Sequence, residues 1–183
     1  MKKISLILLA LIFSCKDNTA TNEKALISVV NMWRAYVEAN PKLEKKDLPD
    51  SWYFHDNKSD ANRLGKLVAS GKKKAASGLY KWYKDANADL PKVGTKHIIT
   101  DFDGEALAII EIRKVDTMPF YKISKEYAAL DMGTSENALE KWKKVHWDFF
   151  EATLKESNDE PSKEMLVVCE WFETVWPVDA VEY

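Results

Sequence analysis

Lys96-His97-Ile98-Ile99-Thr100-Asp101-Phe102-Asp103-Gly104-Glu105-Ala106-Leu107-Ala108-Ile109-Ile110-Glu111-Ile112-Arg113-Lys114-Val115 is the stretch that decides the fold. Two runs rich in β-branched residues, 96–100 and 106–115, flank an Asp-Gly turn signal, which predicts an antiparallel pair of strands. In the second run Glu111 and Arg113 alternate with Ile110 and Ile112. Successive side chains on a strand point to opposite faces, so a polar group here can look into an enclosed interior, and Glu111 is a candidate for that position. Further on, Met165 to Val175 alternates around Val167, Cys169, Trp171 and Phe172 and reads as the closing strand.

Helical spacing surrounds these strands. Ala25 to Asn40 sets Leu26, Val29, Val30, Trp33, Tyr36 and Val37 on one face, with Pro41 beyond its end. Residues 47–58 are polar and turn-rich, with Trp52, Tyr53 and Phe54 among them. A second helix begins near Ser59, carries Leu64, Leu67 and Val68, and stops at Gly71. Ser124 to Met132 and Glu136 to Glu156 are helical again, the latter with Leu139, Trp142, Val145, His146, Phe149 and Phe150 on a broad apolar face before Pro161. Strands and helices interleave without internal repeats, which predicts an α+β fold built on a small curled sheet or barrel.

The N-terminus has a different character. Lys2 and Lys3 precede the apolar run Ile4 to Phe13, which is too short for the ~20 residues of a membrane-spanning helix and is followed by Ser14-Cys15. This is the pattern of a signal peptide, and Ile12-Phe13-Ser14-Cys15 resembles the lipobox at which bacterial lipoproteins are cleaved and lipidated on cysteine. The expected organisation is a lipoprotein signal peptide at 1–14, a flexible polar tether at 15–24, an N-terminal helix and linker at 25–50, and one folded domain at 51–183. Lys16-Asp17 resembles the short charged signals that send lipoproteins of the Bacteroidetes to the outer face of the outer membrane. The expected location is therefore the cell envelope, with a lipid on Cys15 as the membrane anchor and surface exposure one destination.

With Cys15 lipidated, Cys169 is the only remaining thiol and no internal disulfide can form. The core must hold by packing, for which 46% hydrophobic residues and seven each of Trp, Tyr and Phe suffice in one domain. The formal charge is -2, from 27 basic and 29 acidic residues; without Lys2 and Lys3 it becomes 25 against 29, or -4. Global attraction to nucleic acid is excluded, and any such contact must come from a local patch.

That patch is Gly71-Lys72-Lys73-Lys74-Ala75-Ala76-Ser77-Gly78-Leu79-Tyr80-Lys81-Trp82-Tyr83, where amines stand beside aromatic rings. Amines can hold phosphate and rings can stack on bases. The bland alternative is a solvated lysine run at a helix C-terminus with the rings in the core. His146, set among aromatics, reads as a hydrogen-bonded packing residue, and His55 and His97 as isolated. No spacing suggests a zinc site or a calcium loop, so neither metal nor cofactor is expected, and there is no phosphate-binding glycine loop.

Gly-Lys-Lys-Lys at 71–74, Leu90-Pro91-Lys92-Val93-Gly94, Pro119-Phe120, Trp142 to Phe150 and Met165 to Glu170 occur in the order seen in ASCH-domain proteins, and the resemblance spans roughly Trp52 to Val175. It implies a PUA-like β-barrel flanked by helices and a partner that is RNA, a nucleotide or a nucleoside. Lys72 and Lys74 would then lie near phosphate, and Tyr80 or Trp82 near the base. Some members of the family hydrolyse acylated cytidine nucleosides or cleave RNA, using a lysine, a threonine and an acid. Lys73 matches the lysine and Asp131 the acid, shortened by one methylene. Ala76 occupies the threonine position, which closes that nucleophilic route unless Ser77 substitutes, and a neighbouring residue on a strand normally points to the other face. Binding module, hydrolase, and an envelope protein that keeps the fold for a protein or non-nucleic-acid ligand all stand as readings.

Overall fold

The computed structural model describes residues 14–43 and 47–177, and for 14–21 the backbone alone. The signal-peptide segment 1–13 and the side chain of Cys15 lie outside the described residues. In chain order the elements are α1 (Ser14–Ala39), β1 (Ser51–Trp52), α2 (Lys58–Ala69), β2 (Ala75–Leu79), α3 (Tyr80–Asp85), β3 (Lys96–Thr100), β4 (Ala106–Pro119), α4 (Lys125–Met132), α5 (Ala138–Glu156) and β5 (Leu166–Trp176). This is an α+β fold with one five-stranded mixed sheet.

The sheet order is β1-β3-β4-β5-β2. The hairpin expected at 96–115 is present: β3 and β4 pair antiparallel, with Ile98 opposite Ile109, and Gly104 adopts φ +87° in the turn. β5 pairs antiparallel with both β4 and β2, while β1 pairs parallel with β3. β1 was not foreseen. It is two residues long, and its polar, turn-rich surroundings hide the strand pattern. The polar segment 15–24, expected as a tether, is helical backbone within α1. It contains neither Gly nor Pro, so nothing local stops the helix from extending N-terminally.

Three apolar clusters fix the layers. Val167, Cys169 and Trp171 on alternate positions of β5 pack under Trp142, Phe150 and Leu154 of α5 and Tyr127 of α4. Phe172, on the opposite face, joins Ile99, Ala108, Ile110 and Ile112 inside the curl of the sheet. α1 covers the far end, with Val29, Trp33 and Tyr36 against Ile98 and Ile109. The cluster inside the curl includes Trp52 and Phe54 from one edge and Ala76 from the other, so the sheet bends until its two edges face each other. No ladder joins β1 to β2 among the described residues, and the gap between them becomes the mouth of a pocket.

Two caps start the helices α2 and α4 that contribute side chains to that pocket. Asn57 accepts from the Asp60 amide at 3.0 Å to start α2, and Ser124 accepts from the Tyr127 amide at 3.2 Å to start α4. Gly133 ends α4 in the left-handed region at φ +66°, and a Cβ there would sit 3.3 Å from Leu67 Cδ1 and 3.4 Å from the Lys73 nitrogen. Gly133→Ala is expected to destabilise the fold by ~1–2 kcal/mol in urea unfolding, through the backbone conformation rather than through lost contact.

Candidate functional site

A pocket of about 400 Å³ opens where the sheet edges meet. Trp52, Tyr53, Phe54 and His55 form one wall, Trp82 and Tyr83 of α3 a second, and His146 and Phe149 of α5 a third. At its base lies a buried polar network. Lys73 and Asp131 are 4% and 2% exposed and form an ion pair through Nζ and Oδ1, and Nζ also donates to the Asp131 carbonyl at 2.7 Å. The other carboxylate oxygen, Oδ2, accepts from Ser77 Oγ at 2.6 Å and from Trp142 Nε1 at 2.7 Å. His146 Nε2 stands 3.3 Å from the same oxygen, while its Nδ1 donates to the Trp142 carbonyl at 3.0 Å. Tyr127 donates to the Ala76 carbonyl at 2.5 Å and lies 2.9 Å from Ser77 Oγ.

Charge in this network follows from burial and partners. Burial works to push Asp131 up, but the adjacent Lys73 ammonium and His146, with their hydrogen bonds, outweigh it and hold the carboxyl well below the usual carboxylate range. A carboxylate held so firmly ionised is a weak proton acceptor. Glu170 of β5 behaves in the opposite way: burial, with the Asp131 charge adding to it, pushes its carboxyl up to about 7, against a hydrogen bond from the Tyr83 hydroxyl at 3.4 Å. Cys169, on the other face of the same strand, is pushed up to about 12 by burial and stays a neutral packing thiol. The Lys73 ammonium also lies 4.8 Å above the Phe54 ring.

Of the residues singled out in sequence, Lys73, Asp131, Ser77 and Trp82 meet in this pocket. Ser77 reaches the acid because the edge strand turns it, with Ala75 and Leu79, toward α4, while Ala76 faces the curl. The expectation that it points away from the site is corrected. Lys72 and Lys74 are exposed on the flanks of Lys73 and line no part of the pocket, since alternation in the extended chain sends them to solvent. Tyr80 is half-buried and also outside it. Glu111 does not face the interior; it pairs with Lys96 at 3.0 Å and with Arg113 on the outer side of β3 and β4. His146 is hydrogen-bonded and stacked on Trp142 at 4.2 Å, and it also touches the acid. The sequence pattern does not by itself point to Glu170 or to the aromatic wall at 52–55 as site residues. Glu170 occupies an inward position of an alternating strand, which was the available signal, whereas the wall follows a strand too short to recognise.

A curled mixed sheet, with α1, α4 and α5 on its outer face and α2 against the inside of the curl, and a polar-based aromatic pocket at the open edge define the class of domain. The model of the ASCH domain family matches residues 50–176, and the chain belongs to that family, which has a PUA-like fold and is generally associated with RNA binding. Among solved structures, protein EF3133 from Enterococcus faecalis V583 is 35% identical, with a TM-score of 0.73 over 82% of this chain and 89% of its own. An ASCH domain from Lactobacillus crispatus is 26% identical, with a TM-score of 0.72 over 83% of this chain and 94% of its own. A search of the curated proteins found no match. Among the described residues no helix is long and apolar enough to cross a membrane.

Proposed function

We propose that this ASCH domain binds a nucleotide, a nucleoside or the end of an RNA strand in the pocket between its sheet edges, and that a lipid on Cys15 holds it in the cell envelope. The observation that carries the reading is the pocket itself: rings on three walls over one buried, charge-compensated base, in a volume of about 400 Å³ that suits a nucleoside-sized ligand. Rings stack on any base, and since Asp131 neutralises Lys73, the positive side comes from Arg63, whose pair with Asp60 is exposed. With Lys72 and Lys74 turned outward, few phosphates can be neutralised. Titration of mononucleotides and short RNA should therefore give saturable binding at low salt, with a log–log salt slope of only about -1 to -2. Trp82→Leu should weaken it at least tenfold, corresponding to the ~1–3 kcal/mol of one base stack. Absence of any saturable signal, or full affinity in Trp82→Leu, would sink the reading.

One observation favours hydrolysis as a second reading: Ser77, Lys73 and Asp131 converge, with the serine hydroxyl already bonded to the carboxylate. Asp131 is a weak base in this setting, which supports binding ahead of turnover. If the domain does turn over a modified nucleoside, Ser77→Ala should abolish the activity. Turnover appearing only in Ala76→Thr would instead mark a catalytically lapsed relative. The anchor is tested separately, by metabolic labelling with a fatty acid and its loss in Cys15→Ala.

A further inference from the structure

The pocket has a neighbour. On the other side of Trp52, Tyr83 and Glu170, which line both, a second recess of about 390 Å³ runs along the loop before β3. Leu90 and Pro91 form its apolar wall, and Lys92 stands at its rim.

Three observations suggest that this recess takes part in binding. Trp52 and Tyr83 are half-buried and border both chambers, so their rings can contact a planar group on either side. His97 lines the second chamber with its Nδ1 sealed from solvent and without a hydrogen-bond partner among the described residues. A proton on that nitrogen would be a buried donor with no acceptor, so the neutral ring keeps its proton on Nε2, its remaining usable donor. Among the described residues Lys92 is held by an exposed pair with Asp89, which competes weakly with a phosphate.

We infer that the two chambers form one bipartite site, whose ligand is a dinucleotide or the terminal two nucleotides of a strand. One ring stacks in the first chamber; the second ring enters the recess and offers a carbonyl or ring-nitrogen acceptor to His97. Lys92 faces the phosphate side. This rests on the nucleotide reading above and extends it from one nucleotide to two.

The test is calorimetric titration of the mature chain with adenosine monophosphate and with the dinucleotide adenylyl-adenosine, repeated on His97→Phe and Lys92→Ala. Those two residues line the second recess and not the first. In the unaltered chain the dinucleotide should bind at least tenfold tighter than the mononucleotide, and the ratio should fall to within threefold in His97→Phe and shrink in Lys92→Ala. Because Lys92 is exposed, its variant guards against a folding defect in the other. Equal affinities in the unaltered chain, or a ratio that survives both substitutions, overturn the bipartite site while leaving mononucleotide binding intact. If neither compound gives a saturable signal, the nucleotide reading fails and this inference fails with it.

Discussion

Asp131→Asn is expected to cost ~3–5 kcal/mol in urea unfolding, the largest stability effect of any single change proposed for this domain. The substitution keeps shape and volume but leaves the Lys73 ammonium, 4% exposed, without its counter-charge. Lys73→Met should cost a similar amount for the mirror reason, because Asp131 is then an ion at 2% exposure with neutral donors and His146 as its remaining partners. The double change Lys73→Met with Asp131→Asn strands neither charge. It should cost less than the sum of the single changes by ~2 kcal/mol or more, as expected for groups in direct contact. The same network predicts the acid limb of stability. Asp131's folded value lies below its ordinary 3.8, so its contribution is full above about 3.8 and is lost as pH falls from there toward the folded value. Additive costs in the double variant would show that the two charges do not depend on each other.

How far the sequence reaches is visible in this same network. The strands at 96–100 and 106–115 are legible because burial on one face imposes a period of two, and the long helices because their apolar stripes repeat at 3.6. Lys73 and Asp131 are legible as a pair only through the family resemblance; fifty-eight residues separate them, and no local pattern joins them. The lysine run misled for a simple reason. Composition counts three amines, while extended geometry sends alternate side chains to opposite sides, so only the middle one enters. β1 was hidden because two residues cannot display a period, yet its placement beside β3 brings Trp52 and Phe54 to the pocket. Glu111 and Glu170 sit in equally convincing alternations. Which of them faces inward depends on the curl of the sheet, and that is set by packing among β4, β5 and the helices rather than by either strand alone.

Glu170→Gln is expected to stabilise the domain at pH 8 and to change it by less than about 1 kcal/mol near pH 5. The carboxyl, pushed by burial and then by Asp131 from 4.5 up to about 7, keeps its proton in the folded state over a range where the unfolded chain has released it. The sign follows directly. Between 4.5 and 7 the unfolded state binds fewer protons, so this group lowers stability as pH rises through that window and adds no further loss above it. At 1.36 kcal/mol per pH unit the gap amounts to ~3 kcal/mol, and pocket water screening the charge brings the expected gain in Glu170→Gln to ~1–3 kcal/mol. Tyr83→Phe removes a hydrogen bond that favours the ionised form, so the loss of stability should still begin near 4.5 but continue to higher pH and become larger. The domain thus retains an energetically costly carboxyl on the wall shared by both chambers, where an isosteric amide would fold better at neutral pH. On the binding proposed above, a ligand in either chamber would meet this carboxyl directly. Paired urea unfolding curves at pH 5 and pH 8 decide it: identical differences between Glu170 and Gln at both values would show that burial does not raise this carboxyl.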